Sequence, residues 1–563
     1  MSAAELDAIS SPDAESWWAE PGLPGWTPDS QLGSAFAWTL AGHSVAGWSR
    51  AFEAAAPLDL PWPSTSEARR PLVWADSISA GWSANAGWLG PDATLAAFHG
   101  VNEPTRGVRA RSVFRTESGD FGVTRYSLAF ERGDSSRWVR YEVGTGNHGD
   151  FGAVGNGGDH VWSIATRLTH GSHVFEGSLG QRGAALELAG VDVSNHSSGQ
   201  SGSLKWRWSQ GGRQASLAFR RGLDHRESII DVEGIPVSFS RREASENRLE
   251  ADVISPLAGG TAGARATYSA ARVARYYDNA FDVREHLVWG AASFERRAGD
   301  GTLRLELGGG HSSALDRNLI APSVSFAFGA GGATGRVIAE RVVHPVWSDL
   351  ALLPPSFLER QAPFLQRTTA LGFEARGGSS ALSAEGAVLA GTTRDRAIVF
   401  PYPIEDVWLQ AGAAADPRRY DFVLATAGVR ASRGGLAAGA SGFALGRDQD
   451  ASEPKVEPGM GARGWMETSF RLFQGDLGVR LRGDVAGVGP RESKTGGIET
   501  RIEGYWTSSG RATLTLADVT VILNFRNLEN QRRPQSWIDP ATGDLALGPG
   551  REFRFALTWR MFN

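Results

Sequence analysis

His170 and His173 are the closest pair of histidines in the chain, and they are the first candidates for binding a metal ion. Two imidazole nitrogens can contribute to a zinc or other transition-metal site, but such a site needs at least one further protein ligand. The intervening residues Gly171 and Ser172 supply none, and a short glycine-containing segment is typical of a tight turn. We therefore expect a turn here and no metal site.

Two acidic segments, residues 448–453 (DQDASE) and 539–544 (DPATGD), contain the carboxylate oxygens that Ca²⁺ prefers as ligands. Surface loops are also commonly acidic for solubility alone. We favour this second interpretation for both segments.

Recognisable catalytic motifs are missing from the sequence. The chain contains no cysteine, which excludes thiol nucleophiles, zinc ribbons and disulfide scaffolds. The glycine runs at 308–310 and 329–332 are not followed by Lys-Ser, and neither GxSxG nor HExxH is present. The sequence therefore predicts that the protein is not an enzyme and has no catalytic, cofactor-binding or metal-ligating residues.

The segment 346–364 is unusually apolar for a connection between strands. Trp347, Phe357 and Phe364 are its aromatic residues, and an exposed apolar loop needs a covering surface. We name these three residues as candidates for contact with a ligand or a partner. The alternative, that part of the segment extends the flanking strands above a membrane, remains open.

Composition narrows the class of protein. The chain has 563 residues, a formal net charge of -5 and thinly spread Lys and Arg, which is not the charge distribution of a nucleic-acid-binding surface. No window approaches the ~18 consecutive apolar residues of a membrane helix. The mean hydropathy of -0.25 is compatible with a transmembrane β-barrel, because such a barrel exposes only alternate residues to lipid.

Alternation of apolar and polar residues is the strongest structural signal. From Leu204 to Arg220, apolar residues alternate with Lys, Arg, Gln and Ser on both sides of the turn Gly211-Gly212, which predicts a β-hairpin. The same alternation recurs around Leu305, Leu481 and in the closing segment from Glu552 to Phe562. The chain therefore reads as all-β.

The spacing of connections distinguishes a membrane barrel from a soluble sandwich. Outer-membrane barrels have short turns on one side and long loops on the other. Ten short turns, the last predicted at Ser508 to Arg511, alternate with longer polar segments such as 222–245 and 392–418. This alternation predicts a closed antiparallel transmembrane β-barrel of about 22 strands over residues 106–563.

The 20 tryptophans agree with this interpretation, because membrane barrels place aromatic residues in girdles at both interfaces. The predicted strands contain several of them at or near their ends: Trp206, Trp208, Trp289, Trp465, Trp506 and Trp559. The alternative for any one of these residues is ordinary packing inside the fold.

The C-terminal residues carry a resemblance to a known family. Asn527-Leu528-Glu529-Asn530 after an apolar strand, the segment from Gly548 to Arg551 and the alternating strand from Glu552 to Phe562 resemble the end of the barrel of TonB-dependent receptors. The resemblance covers about the last 200 residues well. It implies an outer-membrane barrel for uptake or passage of a nutrient, with outer-membrane lipid and the barrel-assembly machinery as partners.

The sequence departs from that family at its N-terminus. Residues 1–105 read as an extension that leads to the first strand, with no stretch similar to the family's plug domain and no short energy-coupling box. Two functions therefore stay open: nutrient passage across the bacterial outer membrane, or a plugless structural barrel that scaffolds a surface complex. The lumen is then obstructed by the N-terminal extension, by inward folding of the apolar segment 346–364, or by a separate plug or lumen-filling polypeptide.

Overall fold

The computed structural model describes the protein from residue 110 to residue 562, with gaps in that range. The gaps are residues 121, 123, 135, 149–153, 189–192, 233–234, 278–280, 314, 331–332, 347–363, 380, 405–407, 449–459, 496–497, 532–533, 539–544 and 548–550. The N-terminal extension predicted over 1–105 lies outside the described residues.

Antiparallel β-strands account for almost all of the described chain. The first thirteen are β1 (Ala110–Gly119), β2 (Thr124–Gly133), β3 (Arg137–His148), β4 (Val154–His170), β5 (His173–Leu188), β6 (Val193–Gln210), β7 (Arg213–Val232), β8 (Ile235–Leu257), β9 (Gly260–Tyr277), β10 (Phe281–Ala298), β11 (Gly301–Ser312), β12 (Arg317–Ala330) and β13 (Ala333–Val346). The remainder are β14 (Phe364–Gly378), β15 (Leu382–Ile404), β16 (Trp408–Arg433), β17 (Leu436–Arg447), β18 (Met460–Leu472), β19 (Leu477–Val488), β20 (Arg491–Thr495), β21 (Ile498–Ile502), β22 (Tyr505–Leu516), β23 (Val519–Arg526), β24 (Pro534–Ile538), β25 (Leu545–Leu547) and β26 (Glu552–Phe562). A short 3-10 turn, Phe473–Gly475, joins β18 to β19.

One large sheet contains 22 of these strands. Each strand pairs with its neighbours along the chain, β19 pairs with β22, and β23 pairs with β26. The first strand, β1, pairs both with β2 and with the last strand, β26. The hairpins β20–β21 and β24–β25 form two separate small sheets.

The two faces of the large sheet differ in chemistry, as strand β8 illustrates. Leu249, Val253 and Leu257 on one face are 44%, 53% and 58% exposed, whereas Arg248 and Glu250 on the other are 1% and 6% exposed. Successive side chains of a strand point to opposite faces, so the apolar–polar alternation of the sequence becomes one exposed apolar face and one polar face. The predicted all-β class is confirmed.

The short turns join consecutive strands at one edge of the sheet. Asp134 shows how such a turn is held: its carboxylate accepts hydrogen bonds from Ser136 Oγ at 2.6 Å, Ser136 N at 2.7 Å and Arg137 N at 2.9 Å. The side-chain bond from Ser136 and the backbone bond from Arg137 lower the pKa of Asp134 below its usual value. The hairpin predicted around Gly211-Gly212 is confirmed, with Gln210 paired to Arg213.

One predicted turn is wrong. Ser508 and Arg511 lie inside β22, and the chain instead turns at Ala517 and Asp518, where Ala517 has a positive φ of 49°. A Ser-Gly cluster is typical of a turn, but Gly510 pairs with both Gly483 and Phe525. Two neighbouring strands that supply a complete hydrogen-bond ladder override the local preference.

Two of the segments predicted as long polar loops are mostly strand. Residues 222–245 and 392–418 belong to β7–β8 and β15–β16, whose ladders continue to Val232 opposite Ile235 and to Ile404 opposite Trp408. Polar composition marks exposure to water but does not end a paired strand. These two hairpins therefore extend the edge of the sheet opposite the short turns.

The longest of these hairpins rises above its neighbours. Strand β14 pairs with β15 only as far as Arg394, and β17 pairs with β16 only from Phe422 onward. A register shift separates Arg394 from Arg396. Beyond that point, residues 396–404 and 408–416 pair only with each other within the described part of the large sheet.

Aromatic rings lie across glycines on neighbouring strands. A Cβ atom at Gly308 or Gly310 would collide with the indole of Trp289. Equivalent pairs, given as aromatic residue and glycine, are Trp465 with Gly439, Trp506 with Gly487, Phe328 with Gly335 and Phe422 with Gly391. The glycine run at 308–310 is thus a surface on which an aromatic ring packs.

The pairing of β1 with β26 can be tested with a double variant, Glu117→Cys with Ala556→Cys. The Asp120 N–H donates to the Phe553 carbonyl at 3.0 Å, so Glu117 and Ala556, three positions further on, form a non-hydrogen-bonded pair. Cα atoms of such pairs lie ~4.5 Å apart, within disulfide range, and the chain has no other cysteine. We expect efficient disulfide formation under mild oxidation, measured as a mobility shift on a non-reducing gel.

The control for this test is Thr116→Cys with Ala556→Cys. These two positions lie in the same strands but one residue out of register and on opposite faces, so they should not cross-link. Equal yields from the two pairs would contradict the observed register between the first and last strands.

Candidate functional site

The polar face of β4 to β11 carries a concentration of charge near the edge where the short turns lie. Five cations form what we call the basic patch: Arg167, Lys205, Arg207, Arg265 and Arg304. Three carboxylates lie among them: Glu176, Asp252 and Glu306. The group therefore has two more positive charges than negative ones.

Glu176 is shared between two arginines of the basic patch. It accepts a hydrogen bond from Arg167 Nε at 3.0 Å and another from Arg207 Nη2 at 2.8 Å. Strand register places the three side chains together, because Arg167 on β4 is opposite Glu176 on β5 and Arg207 is on the adjacent β6. One carboxylate thus holds two guanidinium groups on neighbouring strands.

Two further ion pairs complete the arrangement. Arg265 Nε lies 2.6 Å from Asp252 Oδ1, and Ser216 Oγ donates to the other oxygen of Asp252 at 3.2 Å. Arg304 Nη2 lies 2.8 Å from Glu306 Oε2. In all three ion-paired groups the arginine side chains are more exposed than their carboxylate partners, for example 52% for Arg304 and 33% for Glu306. The guanidinium groups consequently project furthest from the sheet.

A cavity of about 800 Å³ lies against this surface. Its lining includes all five cations of the basic patch but only Asp252 and Glu306 among the carboxylates. A concave surface with an excess of one charge raises the local concentration of the opposite charge. The geometry therefore suits a group that carries negative charge.

A second charged cluster lies on the polar face of β16 to β19 and surrounds Trp465. Arg482 Cζ lies 4.8 Å from the centre of the indole ring, and Arg430 Cζ lies 6.0 Å from it. Arg482 also forms an ion pair with Asp484 at 3.0 Å. Since Trp465 is only 8% exposed and packs over Gly439, this cluster ties strands together.

The buried pair Arg248–Glu250 supplies a third charged element of the polar face. Arg248 Nη2 and Glu250 Oε1 are 2.5 Å apart, and both side chains are almost completely buried. A charge removed from water needs a partner of opposite sign to offset its desolvation. These residues therefore contribute to the packed wall, whereas the more exposed basic patch is accessible to a ligand.

Of the three aromatic residues predicted to contact a ligand or a partner, the structure describes only Phe364. Trp347 and Phe357 lie outside the described residues, while the backbone of Phe364 begins β14 opposite Val346. The role of these three residues as ligand or partner contacts stays a prediction. His170 and His173 flank a tight turn, as expected.

Potential metal ligands do not converge in the described part of the chain. There, no three His, Asp or Glu side chains are placed to share a metal ion. Asp448 directly follows β17, and the rest of both acidic segments lies outside the described residues.

Two tryptophans predicted for interfacial girdles are placed elsewhere. Trp289 and Trp465 lie on the polar face and are 7% and 8% exposed, so for them the alternative of packing inside the fold is correct. Trp506 and Trp559 lie on the apolar face and are 61% and 47% exposed. The difference depends on which alternate position each occupies, since residues two apart share a face.

None of the described residues belongs to a helix long and apolar enough to cross a membrane. Solved structures of transporters and receptors have the same arrangement of antiparallel strands. The resemblance to TonB-dependent receptors that the C-terminal residues indicate is confirmed at the level of fold.

Several solved structures share this fold. The FrpB iron transporter from Neisseria meningitidis has a TM-score of 0.64 and 11% identity over 80% of this chain and 81% of that one. The siderophore receptor PirA from Acinetobacter baumannii has a TM-score of 0.63 and 9% identity over 82% and 81% of the two chains. The copper transporter OprC has a TM-score of 0.63 and 12% identity over 82% of each chain. No protein-family model and no curated protein sequence matches the chain.

The sequence alone does not predict the basic patch. Lys205, Arg207, Arg304 and Glu306 are recognisable as the polar positions of alternating strands. The sequence does not give the strand register, which places the charged residues of β4, β6, β9 and β11 at the same level along the strands. A one-residue change in register would move a whole set of side chains to the other face.

The packing of Trp465 on Gly439 generates a stability prediction. In Gly439→Ala the new Cβ would lie 2.6 Å from Trp465 Nε1, so the ring must shift. Overpacking of this kind costs about 1–3 kcal/mol. We expect a lower urea midpoint for the folded protein in lipid vesicles, measured by tryptophan fluorescence.

Gly483→Ala is the matched control for Gly439→Ala. Gly483 lies on the nearby strand β19, and a Cβ there would meet nothing within 4 Å. Its midpoint should stay close to that of the unaltered protein. A midpoint lowered equally in both variants would show that the aromatic contact is not the cause.

Proposed function

We propose that the chain forms a closed, 22-stranded transmembrane barrel in the bacterial outer membrane and admits a nutrient through its lumen. The observation that carries the proposal is the pairing pattern: every strand of the large sheet has two partners, and β1 pairs with β26. In lipid, an unpaired sheet edge would leave backbone N–H and C=O groups without partners. A closed barrel has no unpaired sheet edge.

The apolar face is proposed to contact lipid and the polar face to line the lumen. The apolar face exposes many large side chains, including Leu204 at 66%, Leu307 at 60% and Leu371 at 59%. In β8 the apolar positions extend from Leu249 to Leu257, close to the 9–11 residues of a strand that crosses a bilayer. The charged clusters then face water.

The likeness to transporters and receptors supports transport rather than catalysis. The structures of similar fold are described as an iron transporter, a siderophore receptor and a copper transporter. We extend to this chain only the general activity, passage of a nutrient across the outer membrane. The proposed partners are outer-membrane lipid and the barrel-assembly machinery, which would act on the alternating strand β26.

Conductance in planar lipid bilayers tests the proposed function. Residues 106–563 contain all 22 strands of the sheet, so a variant that lacks residues 1–105 should give large, steady currents if the lumen is a water-filled passage. The full chain is measured in parallel. If neither protein conducts, the sheet encloses no passage, and the alternative of a structural barrel that scaffolds a surface complex is favoured.

The assignment of faces is tested by Leu217→Arg and Ser216→Arg. Leu217 is 45% exposed on the apolar face, and a charge at the lipid face of a barrel costs ~2–4 kcal/mol at mid-bilayer. Ser216 is its neighbour on the polar face and already donates to Asp252, which can pair with a new arginine. We expect Leu217→Arg to reduce folded protein in the outer-membrane fraction, measured by heat-modifiable gel mobility, and Ser216→Arg to have little effect. The reverse result would mean that the faces are exchanged.

A further inference from the structure

Lys205 differs from the four arginines of the basic patch. Each arginine has a carboxylate partner at 2.6–2.9 Å. Strand pairing places Lys205 directly opposite Glu176, but that carboxylate accepts hydrogen bonds from Arg167 and Arg207. Among the described residues, none forms an ion pair or a hydrogen bond with the Lys205 side chain. Since Lys205 lines the cavity, its positive charge is not offset by the described wall.

The cavity wall as a whole has an excess of positive charge. It is lined by the five cations of the basic patch and by two carboxylates, Asp252 and Glu306, which leaves three positive charges. A guanidinium group has five N–H donors. Arg207 and Arg304 each donate to a described carboxylate from only one nitrogen atom. A further anion can therefore bind these two arginines without breaking either ion pair.

Strand register separates the cations into two groups. Arg207 on β6 and Arg265 on β9 are the ends of one row of directly paired residues. Adjacent strands lie ~4.8 Å apart, so three strand spacings place the Cα atoms of these arginines about 14 Å apart. Arg167 and Lys205 lie on the side of Arg207, and Arg304 lies on β11, beyond Arg265. A single small anion contacts one group, whereas a solute with several anionic groups can contact both.

We propose that the basic patch is a binding site for a solute that carries two or more phosphate or carboxylate groups. The proposal rests on the proposed function and deepens it, because it names the chemical class of the nutrient. Phosphate and carboxylate oxygens match the fork of N–H donors on arginine and form charge-assisted hydrogen bonds with it. Thr169 and Ser209 add hydroxyl donors to the cavity wall.

The local electrostatic field at the patch is the first quantity to measure. Ser209 lines the cavity and is exposed, and in Ser209→Cys of the full chain the new thiol is the only one. Its rates of reaction with an anionic and with a cationic methanethiosulfonate are measured in detergent micelles. The ratio of the two rates cancels the reactivity of the thiol itself. A concave surface with excess positive charge should favour the anionic reagent by about tenfold or more.

Thr515→Cys is the matched control for this ratio. Thr515 lies on the polar face one residue before the end of β22, also near a short turn, and its strand partners Gly478 and Thr520 are uncharged. The ratio there should stay close to that of a free, uncharged thiol. Equal ratios at positions 209 and 515 would overturn the proposal.

A variant of the patch shows whether its own charge is responsible. In the Ser209→Cys chain, Lys205→Gln removes one positive charge and breaks no contact with a described residue. It should lower the rate ratio about twofold or more, because a unit charge within several ångströms acts on the two reagents in opposite directions. Arg471→Gln removes one positive charge from the polar face of β18 and should leave the ratio unchanged. Equal reductions by both variants would contradict a local effect.

Soluble anions then test binding directly. Tripolyphosphate, citrate and inorganic phosphate are added at equal ionic strength, and the reaction of the Ser209→Cys thiol with a neutral maleimide is followed. A solute bound ~90% of the time should slow this reaction about tenfold. We expect such protection from tripolyphosphate or citrate at concentrations where inorganic phosphate gives little, and Lys205→Gln should weaken it. The more protective of the two multivalent anions indicates whether the solute carries phosphate or carboxylate groups.

Three further outcomes overturn the proposal. Absence of protection by all three anions would show that the patch binds none of them, and equal protection by inorganic phosphate and tripolyphosphate would show that several anionic groups are not required. If the thiol at position 209 reacts with neither methanethiosulfonate while that at position 515 reacts, protein fills the cavity. Thiol reactivity depends on the patch but not on a passage, so protection without bilayer currents would contradict only the proposed function, and currents without protection only the proposed site.

Discussion

The hydrogen-bonding requirement of the peptide backbone is the constraint on which this structure depends. Each strand has N–H and C=O groups on both sides, and each of the 22 strands of the large sheet has a neighbour on both sides. The backbone of the strands is thereby satisfied by pairing with other backbone groups. This leaves the side chains free to differ between the faces, and it explains how a sheet with so few large buried residues is held together.

Side chains then determine register and close packing. Aromatic rings that lie across Gly310, Gly439 and Gly487 cover backbone that would otherwise be bare, and in these three pairs the aromatic residue and the glycine are directly opposite each other. Ion pairs between neighbouring strands, such as Arg167–Glu176 and Asp252–Arg265, impose the same requirement through charge. A slip of one residue would separate both kinds of pair.

Much of the fold can be predicted from the sequence because alternation is a local property. The hairpin around Gly211-Gly212 and the strand Glu552–Phe562 follow from residues within a few positions of each other. The turn at Ala517 could not be found in this way, since Gly510 is kept in a strand by partners at Gly483 and Phe525. The same limit applies to the basic patch: Arg167 and Arg304 are 137 positions apart and meet only through the registers of seven intervening strand pairings.

The projecting part of the hairpin β15–β16 differs from the body of the sheet in cooperativity. Residues 396–404 and 408–416 are held within the large sheet by one ladder instead of two, and an isolated two-stranded ribbon is only marginally stable. Breaking that ladder exposes few backbone groups and disturbs no other pairing among the described strands. The ribbon can therefore open and reclose by itself many times during one lifetime of the folded body, so amide hydrogen exchange in it reports local unzipping, whereas exchange in β4 to β11 reports global unfolding.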